Sequence, residues 1–509
     1  LFLYSFTLTL KDKVMATLQD IINESKTLTR SQLKADKGLV IEIQTKLANL
    51  GLYPGGQWID GDLGTGDTFT WRGLKEFCQA LDLSGLPSDT VAINPNIATN
   101  LLDTKQLPFI LDQAKDTKFI LNKLTTIQDN SIAPVNIGVT QSFVARTLRN
   151  SPFAMEVDDY PEHLKQKPDG TNLVSYGTNF TLVGSGKTIT FSDYPQRGNL
   201  PNIDTNGLNF LASNISHACV CVGSFGDGSS PIKTHWLGKD AFNPEQLLSA
   251  TKFIGVLNAI EQINGKFPTV DVDNCVIEPA NSPKPKFFDL VVDMVSYRKD
   301  ADGSLGRSNQ IGALFKRFTK RADLEAWLKA QTGNTSCKFT GGYFNPSLIK
   351  DPIIKDLSSS ATVLRSPVDN TTGTNDVSTY DLVRLITMLG WHLHLTTNTR
   401  FIGSQWNSLE TVVRAMGTDA ARYIDVALET LGVINVISQP VVISKVGFGP
   451  SSFAYVAFVK FVDNRVQPAK LRTFSLALRT PNGSDRERDT NLAAAVTEIV
   501  RRILTEELA

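Results

Sequence analysis

The 509-residue chain lacks an excess charge of either sign: lysine plus arginine total 51, and so do aspartate plus glutamate. Recognition of nucleic acid or of an acidic membrane through net charge is therefore excluded, and no basic run stands out locally. Long apolar runs are missing too. Nothing approaches the ~20 residues that a membrane helix needs. The opening LFLYSFTLTL is short, has no basic start and no small-residue cleavage site, and makes a poor signal peptide. Met15 opens MATLQD, which reads as a natural start, so residues 1–14 are expected to be an extension. Cysteine is scarce, with five in the chain. The five are Cys78, Cys219, Cys221, Cys275 and Cys337; an odd count in so long a sequence is no disulfide framework, and Cys219 and Cys221, two apart in a strand-like run, are expected to be buried thiols. Histidine is equally scarce. His392 and His394 are close enough to share a zinc ion, but no third ligand sits nearby. Neither a metal nor any other cofactor is expected, and with Trp391 these histidines are expected to pack.

The chain is 41% hydrophobic and 20% charged, ordinary for a globular protein. Its length predicts two to four domains. A tail (1–29) precedes a small unit at 30–84. There Val40, Ile43, Leu47 and Leu50 recur at helical spacing, Gly51 stops the helix, and YPGG makes a turn. A glycine–aspartate loop, WIDGDLGTGD, then leads into a second amphipathic helix over 68–81, with Leu74 and Phe77 inward. A helical connector over 85–150 comes next, then a large domain over 151–509.

Within the large domain, HACVCVGS and PIKTHWLG read as strands. Phe253, Val256, Leu257 and Ile260 follow i, i+3, i+4, i+7, which predicts a buried helix beginning near Ser249. QPVVISKVG, SSFAYVAFVKFVD and KLRTFSLALRT predict three closing strands, and a last helix is expected over 491–508. Strands near both ends with helices between imply one antiparallel sheet flanked by helices.

Ser249 and Lys252 form S-A-T-K at the head of that helix. A spacing of three stacks the side chains one turn apart. A serine hydroxyl becomes a nucleophile when a base removes its proton. A lysine amine is such a base if burial and a helix N-terminus lower its pKa. The plain alternative is a serine cap with a surface lysine.

Three ordered motifs make residues 200–509 resemble the penicillin-recognising serine enzymes, class A β-lactamases above all. The first is Ser249–Lys252. The second is Ser308, Asn309 and Gln310 in the place of S-D-N. The third is Lys445, Val446 and Gly447 in the place of K-T-G. The resemblance implies that Ser308 relays a proton to the leaving nitrogen. It implies that Lys445 supplies charge for a substrate carboxylate. It also implies that the N–H groups of Ser249 and Phe448 form an oxyanion hole. Three departures stand out. Gln310 replaces an asparagine that orients substrate, Val446 replaces a threonine, and Asn345 in YFNPSL replaces the glutamate that activates water for deacylation. An amide cannot act as that base. SPVDNTTGTNDVSTYDLVRL resembles a structural element of the same family, with Ser378 or Thr379 capping a helix.

The unit at 30–84 resembles the small helical peptidoglycan-binding domain found beside cell-wall hydrolases. The expected fold class is thus α+β: a small all-α domain, then a β-lactamase-like domain with an antiparallel sheet flanked by helices and a helical subdomain. The resemblances imply a serine hydrolase of the β-lactamase or D-Ala-D-Ala peptidase type, forming an acyl-enzyme on Ser249. They imply peptidoglycan, or a small β-lactam or peptide, as partner, and an extracytoplasmic location. The alternative is a catalytically silent scaffold that binds cell wall.

Overall fold

The computed structural model describes residues 16–50, 52–53, 58–66, 68–81, 83, 87–104, 120–122, 124–125, 128, 143–226, 231–279, 284–297, 306–367 and 373–509. The extension expected at 1–14, Pro54–Gly56 of the YPGG turn and about half of the 85–150 connector lie outside the described residues. The chain divides into two compact units, Leu1–Ile110 and Leu111–Ala509.

In the first unit the described helices are Leu18–Asn23, Arg30–Ala35, Lys37–Asn49, Phe69–Ala80 and Pro95–Asp103. The Asp36 carboxylate caps the third, accepting the Leu39 N–H at 3.1 Å, which satisfies one of its orphan donors. Leu39, Val40, Ile43 and Leu47 bury one stripe of that helix, facing Leu74 and Phe77 of the fourth. Between them the fully buried Gln44 donates to Tyr53 and Thr70 and accepts the Gly61 N–H at 2.8 Å. The glycine loop is thereby pinned to the core. Leu18, Ile21, Ile97 and Leu101 belong to the same core, so the unit draws on more chain than the 30–84 span.

The second unit is a mixed α/β structure with antiparallel sheets. Its first strands are β1 (Leu173–Val174), β2 (Asn179–Thr181), β3 (Thr188–Thr190), β4 (Ser192–Asp193), β5 (Ile203–Asp204), β6 (His217–Ser224), β7 (Lys233–Lys239) and β8 (Glu245–Gln246). Then come β9 (Cys275–Glu278), β10 (Lys338–Phe339), β11 (Ile353–Asp356), β12 (Thr362–Arg365) and β13 (Asn375–Val377). The long closing strands are β14 (Ile437–Phe448), β15 (Phe453–Asp463) and β16 (Ala469–Thr480). The main sheet runs β14-β15-β16-β6-β7-β4, so strands from both ends of the unit lie side by side and β14 is an edge. Two short strands join in parallel, β1 on β16 and β5 on β7.

Every residue of β15 is buried, which requires cover on both faces. Phe458 packs edge-on against Trp391, at the end of the helix Thr379–Gly390. Tyr455, three residues away and so on the opposite face, packs against Tyr423. The helix Thr379–Gly390 is capped by Ser378, in a box with Asp381. The predicted helix after Ser249 is Phe253–Lys266, and Phe253, Val256, Leu257 and Ile260 are all buried. It does not begin at Ser249, however. A 3₁₀ turn, Leu248–Thr251, precedes it, and Ser249 lies in that turn. All five cysteines are buried and free.

Candidate active site

In a 3₁₀ turn, side chains three residues apart eclipse one another, so Ser249 and Lys252 align more closely than on an α-helix. Leu248, immediately before the serine, has φ of 55°. That left-handed conformation is costly for a branched side chain and fixes the turn in one geometry. The turn is pressed onto edge strand β14. A Cβ at Gly447 would lie 2.4 Å from the Leu247 carbonyl oxygen and 2.8 Å from the Ala250 nitrogen. Glycine at 447 is therefore what lets the strand approach the serine.

Lys252 is 1% exposed. Its amine donates to the Ser308 hydroxyl at 2.9 Å and to the Asn309 side-chain oxygen at 2.8 Å. Burial, then the positive charge of Lys445, push its pKa well below the usual lysine value. A neutral amine has two N–H donors and one lone pair. In that form Ser308 and Asn309 can take both donors, and the lone pair remains to receive a proton. Asn309 in turn donates to the Asn345 oxygen at 3.1 Å, so Asn345 stands two links from Lys252. Tyr343 completes this side: its hydroxyl is 2.9 Å from that of Thr251, and its ring centre is 5.6 Å from the Lys252 nitrogen.

Lys445 is fully buried on β14. Its amine donates to the Val446 carbonyl at 3.0 Å and lies 3.8 Å from the Asp419 carboxylate. Burial lowers its pKa to about 8, and Asp419 opposes that fall. Asp419 is itself held by the Ser444 hydroxyl at 2.9 Å.

Between the two lysines stands Tyr297. Its ring centre is 3.9 Å from the Lys445 nitrogen and 5.6 Å from that of Lys252. Its hydroxyl donates to the Val446 carbonyl at 3.0 Å, and the Ser249 side chain lies near enough to act on the phenol's pKa. Burial raises the phenol pKa above its usual value, so the hydroxyl keeps its proton. Tyr297 follows the helix Phe287–Ser296 with φ of 53°, a second strained non-glycine residue at the same place. Because the Val446 carbonyl accepts from Tyr297, the backbone groups of Val446 point away from β15. Those of Phe448, two residues on, point the same way, out from the free edge of the sheet.

The structure thus brings Ser249, Lys252, Ser308 and Lys445 around Tyr297, with Gly447 and Phe448 beside them and Asn345 one residue beyond Asn309. The surroundings of three residues bear on the roles expected of them. Ser308 was expected to relay a proton to the leaving group. It is 3% exposed and its hydroxyl donates to the Met294 carbonyl at 2.7 Å, so its proton is committed to supporting Lys252. Gln310 was expected to orient substrate. Ser308, Asn309 and Gln310 lie in the helix Gly306–Phe315, where neighbours diverge by about 100°. Asn309 is the amide that reaches Lys252. Val446 was expected to line the pocket, but its side chain is fully buried and its carbonyl is what it presents.

Tyr297 and Asp419 were not singled out from the sequence. For Tyr297 the available signal was an aromatic residue closing an apolar helix, FFDLVVDMVSY. For Asp419 there was none. Among the described residues no group of three His, Cys, Asp or Glu could hold a metal. The His394 Nε2 lies 2.7 Å from the Leu164 carbonyl oxygen, and His392 stacks on Phe401 and Trp406. Nor is any described helix long and apolar enough to cross a membrane.

No protein-family profile and no curated protein matches the chain. Solved structures do. TLA-3 extended-spectrum β-lactamase is 13% identical, with 56% of this chain covering 94% of that one at a TM-score of 0.34. A class A β-lactamase from Bacteroides cellulosilyticus is 12% identical, with coverage of 58% and 94% and a TM-score of 0.35. A β-lactamase from Chitinophaga pinensis is also 12% identical, with 57% and 95% covered and a TM-score of 0.33. Similarity at this level assigns no chemistry to any side chain here.

Proposed function

We propose that the second unit is a serine acyl-transfer enzyme of the β-lactamase or D-Ala-D-Ala peptidase type. The observation that carries this reading is the buried amine of Lys252, which donates to Ser308 and Asn309 and belongs to the residue three after Ser249. In the proposed reaction Lys252 takes the Ser249 proton as the serine oxygen bonds to a carbonyl carbon. The N–H groups of Ser249 and Phe448 receive the developing oxyanion. The carbon–nitrogen or carbon–oxygen bond then breaks. Lys252, now carrying the serine's proton, returns it to the departing atom. Lys445 contributes positive charge for a substrate carboxylate. Asn345 supplies no base for deacylation, so the acyl-enzyme is long-lived.

The substrate class is a peptidoglycan stem peptide, a β-lactam or a related amide or ester. The first unit is proposed to bind cell wall, which places the protein outside the cytoplasm. A silent scaffold is the less favoured reading, since a wall-binding role alone gives no use for a buried lysine whose pKa is pushed well below its usual value. Incubation with a fluorescent penicillin should label the protein, with mass analysis placing the adduct on Ser249 and none on the Ser249→Ala variant. Folded protein that stays unlabelled at high reagent and long times would overturn the proposal.

A further inference from the structure

The rim of the site carries a residue that folding alone does not explain. Phe344 is 98% exposed. Its φ is 66°, and the Asn345 N–H donates to the Tyr343 carbonyl at 2.8 Å. Positive φ with an i to i+2 hydrogen bond is the direct γ-turn, a rare and strained form. Such a position suits glycine, yet it holds a large apolar ring facing water.

Both feet of this turn stand in the candidate site. Tyr343 is buried against Thr251 and Lys252. Asn345 is bonded to Asn309, which holds the Lys252 amine. With both neighbours fixed, the backbone at 344 cannot relax to negative φ without pulling on the groups that position Lys252. The turn therefore holds the ring in solvent between two residues of the candidate site, next to the Asn309–Asn345 pair. A single exposed apolar side chain is unremarkable by itself. One held under backbone strain, between two residues of an active site, invites a ligand.

We propose that Phe344 is a specificity-determining residue that packs against an apolar, aromatic or branched aliphatic substituent on the acyl group transferred to Ser249. This rests on the acyl-transfer reading, and the test separates the two. Two p-nitrophenyl esters with the same leaving group, the phenylacetate and the acetate, are compared on the full chain. Wild type should prefer the phenylacetate. Phe344→Ala and Phe344→Gly should each lower kcat/KM for the phenylacetate about tenfold, the range of one apolar contact, through KM. The acetate should change less than about twofold, and Phe344→Leu should keep most of the preference. Phe344→Gly should also melt above wild type, since glycine accepts the turn's φ. Ser249-dependent turnover with an unchanged ester ratio in both truncated variants would overturn this inference alone. Release of p-nitrophenol no faster than that of Ser249→Ala, in the first-turnover burst as well as afterwards, would remove the acyl-transfer reading and this inference with it.

Discussion

At the residue scale the site is a problem in where two amines keep their protons. Lys252 and Lys445 are both buried, and each disfavours the charge of the other. Asp419 lies against Lys445 and not against Lys252, so the two are unequal. Lys252 loses its proton first, and Lys445 keeps its own up to about 8. The expected rate of acylation therefore climbs as Lys252 becomes neutral and falls again as Lys445 loses its charge near the upper value. Lys445→Met gives the sign check. Removing a neighbouring positive charge favours protonated Lys252, raises its pKa, and moves the rising limb to higher pH. Rates of labelling by a fluorescent penicillin, measured from about pH 5 to about pH 10 across the ordinary titration range of histidine and lysine, decide it. A rising limb that stays in place, or moves to lower pH, contradicts the assignment of Lys252 as the base.

At the element scale the close approach of β14 to the Leu248–Thr251 turn matters most. Gly447 has no φ in the left-handed region and is glycine for space alone. Gly447→Ala should push the strand from the turn, because the atoms it meets are backbone. A destabilisation of about 1–3 kcal/mol follows from overpacking. Labelling of Ser249 should fall more than tenfold, beyond what the loss of folded protein explains. Gly449→Ala is the control: its Cβ would meet only the Leu248 side chain, at 3.2 Å, and a leucine can turn aside. Denaturant midpoints and labelling rates for the pair would show whether spacing, and not glycine as such, is the cause.

The same scale shows what was legible in the sequence. Ser249 and Lys252 could be found because their relation is local, three residues along one backbone. The closing strands and the helix Phe253–Lys266 could be found because burial imposes a period. The 3₁₀ turn could not, since its four residues are too few to show one. Gln310 was aligned with the motif's asparagine by order along the chain, which says nothing of which side chain turns toward Lys252. The helix begins at Gly306, and helical rotation turns Asn309 inward instead. Tyr297 and Asp419 meet Lys445 from 148 and 26 residues away in the chain, and such meetings depend on sheet order, which no local pattern encodes. The sharing of the first unit's core with segments outside 30–84 was hidden for a related reason. Leu18–Asn23 and Pro95–Asp103 are short helices, and each contributes only a few side chains to the shared core.

At the scale of the whole molecule the buried apolar residues divide. One cluster runs from Leu18 to Leu101, and another spans Val157 to Ala477. Two cores joined by a connector need not melt together, and a chain of this size commonly departs from two-state behaviour. Calorimetry should resolve two transitions. Leu47 and Phe77 are fully buried in the first cluster, and Phe253 and Ile260 in the second. Phe77→Ala should cost about 3–5 kcal/mol in the first unit, lowering one transition while the other stays fixed. Penicillin labelling of Ser249 should be unaffected at temperatures below both. Ile260→Val, at about 0.5–1.5 kcal/mol, should lower the other transition and leave the first unit's melting unchanged. If either substitution moves both transitions by the same amount, the units fold as one cooperative body, and the acyl-transfer site then depends on the stability of the first unit as well as its own.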